Sequence, residues 1–304
     1  AAVAWHYARL GLTLTHYDAR GHLIVARRIA DSITPGWQQI GAVWLPLPHL
    51  LNALPVQVDA FYRTGASAVA ISVLSFALAC GTLAWLAATF TGSPAVAVAT
   101  VAVFALNPNV LYLQATPMTE PLLIALLLLS VALLERWRQS DGAQCTGVTG
   151  VVMALACLTR YEAWPVVVSA LALALLWSLR ERPFVEALGR VVVMARVPAA
   201  AILAFLLFSR IVVGQWFADD FFVPENEALG RPWEALSQIV WGVTTLSDPR
   251  LVGLAGVGIV AVLMSTWRRG LSALLPLTLL ATAAVPFVAF VDGHPYRIRY
   301  MVPL

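Results

Sequence analysis

The chain has 304 residues, 60% of them hydrophobic and 12% charged, with a mean hydropathy of +0.81. Soluble globular domains run at about 45–50% apolar and about 25% charged, so these proportions exclude a soluble enzyme, a disordered chain and a nucleic-acid-binding module. The formal net charge is +3 and all 19 basic residues are Arg, which removes lysine chemistry and suits bidentate recognition of phosphate.

A membrane-spanning helix needs about 20 mostly apolar residues. Residues 1–14 read as the tail of a first span, no basic n-region with a small-residue cleavage site follows Ala1, and residues 300–304 open another span, so the chain reads as cut from a longer one at both ends. Residues 15–63 form a first polar loop with prolines at 35, 46, 48 and 55. Within it, 19–33 places Leu23, Ala26, Ala30 and Ile33 on one side and Arg20, Arg27, Arg28 and Asp31 elsewhere, the pattern of a helix lying in the membrane interface. A clean span follows at 66–90, and the next, 94–113, is interrupted by Asn107-Pro108-Asn109. Further spans are expected at 119–135, 147–160, 164–179 and 191–213, then, after a second large loop at 214–250, at 251–267 and 270–291. The expected architecture is all-α, a single domain over 1–304 with nine to ten transmembrane helices. No internal repeat is evident, which counts against an inverted-repeat transporter. Cys80, Cys145 and Cys157 have neither zinc nor disulfide-framework spacing and read as buried packing residues.

Arg in short loops sets orientation. Alternating the spans puts Arg136, Arg138, Arg180, Arg182, Arg190, Arg268 and Arg269 on one side, which is then cytoplasmic. The other side holds both long loops, all five His (His6, His16, His22, His49 and His294) and 12 of the 16 acids. Groups capable of chemistry are thus concentrated at the extracytoplasmic face.

Four segments at that face stand out. Asp18 precedes His22 by four residues, so the two share a helix face. Asp18 is a general base at the membrane surface, with His22 positioning it, or simply an N-cap. Glu120 enters a run of Leu directly after a Pro- and amide-rich break, where an acid is costly and marks function by default; the plainer reading is a first-turn Glu with Thr119 as cap. Arg160 is a clamp for a lipid phosphate, or the partner of Glu162 in a local pair. His294, Arg297 and Arg299, with Tyr300, either hold a phosphate together or form an ordinary polar loop with an interfacial Tyr. The Asp219-Asp220 pair reads more readily as solvated loop than as a metal site.

In order and sidedness these residues resemble the GT-C superfamily of integral-membrane glycosyltransferases, which take sugars from polyprenyl-phosphate donors. The likeness is nearest to bacterial members related to the protein O-mannosyltransferases and the lipid A aminoarabinose transferase. Asp18 matches the essential Asp that this family carries just after its first span, and Glu120 matches an acid at the start of the fourth. Leu158-Thr159-Arg160 parallels a Leu-Thr-Lys-Gly motif, with Arg in place of Lys and Tyr161 in place of Gly. His294 and Arg299-Tyr300, with Pro303, resemble a His…Arg-Tyr-x-x-Pro element. An Asp-x-Asp metal motif of the oligosaccharyltransferase kind is absent from the sequence.

The resemblance implies a plasma-membrane enzyme working at its extracytoplasmic face, with no cofactor or metal. Its partners would be the bilayer, a polyprenyl-phosphate-linked sugar and a lipid, glycan or protein acceptor. Asp18 would take the acceptor's proton and Glu120 orient the acceptor or His22, while Arg160, Arg299 and His294 stabilise the departing phosphate. All of this requires the carboxylate at 18 to converge with 120, 160 and 294–299 in one wet hollow. The competing reading is a transporter or flippase using the same polar cavity.

Overall fold

The structure is a computed structural model describing residues 1–142, 144–216 and 226–303. Every regular element among these residues is a helix. In chain order they are α1 (Ala2–Arg9), α2 (Tyr17–Arg28), α3 (Leu47–Ala53), α4 (Asp59–Thr64), α5 (Ala66–Thr91), α6 (Pro94–Ala105) and α7 (Pro108–Gln114). There follow α8 (Glu120–Gln139), α9 (Thr146–Cys157), α10 (Ala163–Glu181), α11 (Phe184–Phe208), α12 (Pro232–Leu246), α13 (Pro249–Arg269) and α14 (Ala284–Val291). A 3-10 stretch, Gly270–Ala283, leads into α14, and a π-turn, Ser209–Val213, extends α11.

Five of these segments are long and apolar enough to cross a membrane: α5, α10, α11 with its π-turn, α13 as far as Trp267, and Gly270–Val291. A sixth is possible if α6 and α7, bent by 69° at Asn107, are one broken span. The other expected spans take different forms. Residues 1–14 yield only the eight-residue α1, and α9 has 12 residues, against the about 20 of a full straight span. Helix α8 is long, but Glu120 begins it, Glu135, Arg136 and Arg138 end it, and most of its side chains are buried. The outward surface of the long helices is apolar: none of α13's spanning stretch is buried, and Leu254, Val257 and Met264 are 65%, 67% and 70% exposed. An unburied apolar helix of this length is stable in hydrocarbon and not in water.

The chain divides into two compact units. The first comprises Ala1–Leu129, Val152–Arg160 and Pro198–Ala218; the second comprises Ser130–Val151, Tyr161–Val197 and Asp219–Leu304. In the first, α5 buries a seam of small residues, Ala68, Ser72, Ser75, Ala79 and Thr82, at alternating spacings of four and three. Small side chains let helix backbones approach closely without a hydrophobic driving force, and α5 packs on α6 and α7. Leu23 and Ala26 of α2 form a separate cluster with Val56 and Ala68, joined by Leu14 and Tyr62. The amphipathic pattern of 19–33 therefore has a physical outlet inside the protein, with Ala19, His22, Leu23 and Ala26 all buried. In the second unit Ala235, Ile239, Phe290 and Met301 form the core of one cluster, flanked by Tyr296 and Tyr300. Of the three Cys only Cys157 is fully buried; Cys80 and Cys145 are partly exposed, which corrects the reading of all three as buried.

Candidate functional site

The helix carrying Asp18 starts at His16, whose ring nitrogen Nδ1 accepts from the Asp18 backbone N–H at 3.1 Å. His16 is thus the cap, and Asp18 lies in the first turn, where its charge suits the helix N-terminus. Asp18 and His22 are 3% and 7% exposed and stand one turn apart. Between them Gly21 brings the backbone against Trp44: a Cβ at that position would lie 2.7 Å from Trp44 Cη2. This close approach sets the indole 4.3 Å, centroid to centroid, from the His22 ring.

On the other side of His22 is His49, 1% exposed. Their ring nitrogens, His22 Nδ1 and His49 Nε2, are 3.1 Å apart, and His49 Nδ1 lies 3.2 Å from the Leu45 carbonyl oxygen. A carbonyl only accepts, so His49 carries its proton on Nδ1 and offers Nε2 as acceptor. Burial pushes the His49 pKa down to about 4, so the ring is neutral at physiological pH. His22 must then donate through Nδ1. Sequence reading counted His49 only among the outer-face histidines. Nothing in a 27-residue separation reveals the pair; the turn beginning at Leu45 and α3 brings it about.

Glu120 is prepared by the buried, non-helical segment 115–119. The Ser72 hydroxyl lies within hydrogen-bond distance of two of that segment's carbonyls, Thr116 O at 3.0 Å and Met118 O at 3.3 Å, supplying a partner that hydrocarbon would not. Gly65, at φ +70°, lets the chain pass Pro117 and Leu14 where a Cβ would clash. Glu120 is fully buried, and Arg160 NH1 donates to its Oε1 at 3.0 Å and to Thr119 Oγ1 at 3.1 Å. Arg160 itself is held because the Leu158 carbonyl accepts from the Leu47 N–H at 2.9 Å. Arg160 is thus paired with an acid 40 residues away in the sequence.

His22, Asn52, Ser72, Pro117 and Thr119 line one hollow of about 20 Å³, room for a single water-sized group such as a hydroxyl. The first unit thus places His22 and Thr119 on a small hollow, with the Arg160–Glu120 pair joined to Thr119 and Asp18 one turn before His22.

The remaining predicted site residues lie in the second unit. Glu162, 4% exposed, stands immediately before α10. Beside it Tyr161 meets Trp164 edge-on at 5.2 Å, and burial raises the Tyr161 phenol to about 12. His294 donates from Nδ1 to the Pro295 carbonyl at 2.9 Å and lies 5.7 Å from the Tyr300 ring. Its pKa is lowered, first by burial and also by the charge of Arg297. The Arg299 guanidinium lies 5.5 Å from the Tyr300 ring centroid, within cation–π range. Two residues not anticipated from sequence shape this turn. Asn226 donates to the His294 carbonyl at 3.0 Å and pairs reciprocally with the Gln238 amide of α12 at 2.8 and 2.9 Å.

Among the described residues no group of three or more His, Cys, Asp or Glu is placed to share a metal ion. Asp219-Asp220 lie outside the described residues. No family model, curated protein or solved structure matches the chain.

Proposed function

We propose that the chain is a membrane glycosyltransferase that moves a sugar from a polyprenyl-phosphate donor to an acceptor hydroxyl at the extracytoplasmic face of the plasma membrane, with inversion. The reading takes the nine-to-ten-span topology with it. The observation that carries it is the buried Glu120–Arg160 pair, whose neighbour Thr119 shares a hydroxyl-sized hollow with His22, one helical turn from the buried Asp18.

In this mechanism the Asp18 carboxylate takes the acceptor O–H proton while that oxygen bonds to the anomeric carbon. The anomeric C–O bond to phosphate breaks, and its electron pair leaves with polyprenyl phosphate. Fixed cations stabilise that developing charge without having to reorganise; Arg160, held by Glu120, is assigned this role, with Arg299 and His294 as further candidates. His22, its tautomer set by His49, orients Asp18 or the acceptor. Glu162, Arg297 and Tyr300 are assigned to substrate binding. The hollow itself accommodates only the reacting hydroxyl, so the sugar ring must bind outside it.

The test is Asp18→Asn in membranes supplied with a labelled polyprenyl-phosphate sugar. Loss of transfer by about 10²-fold or more is expected for a general base; transfer near the wild-type rate would remove Asp18 from that role. Arg160→Ala is expected to impair use of the donor more than use of the acceptor, and the reverse result would reassign it. Wild-type protein that carries the labelled lipid across a bilayer without transferring its sugar would support the transporter reading instead.

A further inference from the structure

At the opposite end of α10 from Glu162, the second unit contains a hollow of about 190 Å³ lined by Arg138, Asp141, Trp177, Arg180, Arg182 and Arg190, with the backbone of 270–272 as part of its wall. The 19 residues of α10 put the two ends about 28 Å apart at 1.5 Å per residue, so this hollow is separate from Glu162.

Most of its charges are already matched. Arg138 pairs with Glu135 at 2.6 Å, Arg182 with Glu186 at 2.7 Å and with Asp141, and Arg190 with Asp141 at 3.2 Å. Arg190 also donates to the Asp141 backbone carbonyl, and its guanidinium lies against Gly142, where a Cβ would displace it. These pairs hold three guanidinium groups on the wall. Two donors remain. Arg180, exposed on the rim, forms no ion pair among the described residues. Trp177 is 9% exposed, and its indole N–H is buried with no hydrogen-bond partner among the described residues. Glu181, also exposed on the rim, acts electrostatically on Arg138.

We propose that this hollow binds a phosphate group, with Arg180 and the Trp177 N–H as its principal donors and the paired arginines as its wall. Several guanidinium groups beside an unsatisfied N–H match the acceptor oxygens of a phosphate. A space of this size is many times what one water needs, enough for a phosphate and part of its ester. Its place at the end of the spanning helix α10, beside the start of the spanning segment Gly270–Val291, is the depth of lipid headgroups. The phosphate can therefore come from an anionic phospholipid or from solution.

The experiment uses the full chain purified in neutral phosphatidylcholine micelles, with Arg180→Gln and Trp177→Phe as variants and their melting temperatures checked first. In one arm phosphatidylglycerol is titrated in and its retention read by native mass spectrometry. In the other, inorganic phosphate replaces chloride at constant ionic strength and the melting temperature is followed. The wild type is expected to retain phosphatidylglycerol, or to gain stability from phosphate. Arg180→Gln is expected to weaken the effect about tenfold, and Trp177→Phe severalfold, as loss of charged and buried hydrogen bonds implies. A response confined to the lipid arm identifies a headgroup site, and one confined to the phosphate arm a soluble phosphate. Folded variants that respond as the wild type does, or a wild type that responds in neither arm, would overturn the proposal.

Discussion

Acidification is expected to weaken the first unit through His49. The folded chain holds this imidazole near a pKa of about 4 against an ordinary 6.5, because its 1% exposure denies the imidazolium its hydration. As pH falls through 6.5 the unfolded chain takes up a proton that the folded chain refuses, so stability present above that pH declines until the folded pKa of about 4 is reached. A difference of this size corresponds to about 3 kcal/mol. The perturbation is His49→Gln, which retains an oxygen acceptor for His22 but does not titrate. Unfolding in detergent would be followed from neutral to acidic pH for both proteins. Above pH 6.5 the wild type is expected to be the more stable, by about 1–3 kcal/mol for the packing and hydrogen bonds that Gln does not reproduce. Toward pH 4 that advantage is expected to shrink by about 3 kcal/mol, to nothing or below. Parallel pH curves for the two proteins would refute the reasoning, because they would mean that His49 is protonated as readily in the folded as in the unfolded state.

Three further outcomes are expected. In a double-mutant cycle of Glu120→Gln and Arg160→Gln, each single change costs about 3 kcal/mol because it strands a buried group, and the double change costs less than their sum; an additive cycle would mean that the 3.0 Å contact contributes no coupling. Gly21→Ala drives a methyl toward Trp44 and is expected to destabilise by about 1–3 kcal/mol while shifting the His22 ring resonances in NMR; unchanged stability and spectra would refute the close approach. Val257→Arg, on the unburied surface of α13, is expected to cost about 2.5–3.5 kcal/mol in a membrane-insertion reporter, whereas no penalty would place that face in water.

Much of the helical layout is legible in the sequence because spans in hydrocarbon obey a composition rule. Ala66–Thr91, Ala163–Glu181 and Pro249–Arg269 follow the hydrophobic runs closely. So does the break at Asn107-Pro108-Asn109, where Pro removes a donor and the chain bends by 69° between α6 and α7. The same rule does not tell α8 and α9 apart from the five long spans, because an apolar run buried inside a protein and one facing lipid have the same composition. The candidate site was legible in part. Glu120 was singled out for the cost of an acid at that depth and Arg160 as a clamp for a lipid phosphate, but their partnership spans 40 residues and no local pattern encodes it. His49, Trp44 and Asn226 carried no signal, because a histidine, a tryptophan or an asparagine in a loop is ordinary until its neighbours are known.

Sequence alone determined that the chain is helical and suited to a bilayer, since 60% apolar and 12% charged residues leave too little polar surface to cover a soluble particle. It also pointed to an acid, Glu120, whose place at the head of an apolar run is costly. Tertiary structure decided which residues meet: Arg160 with Glu120, His22 with His49, and Asn226 with the carbonyl of His294. The physical reason is one of range. Hydropathy acts through the few residues around a position and survives any folding, whereas a hydrogen bond between groups 27 or 68 residues apart exists only once packing has set the distance.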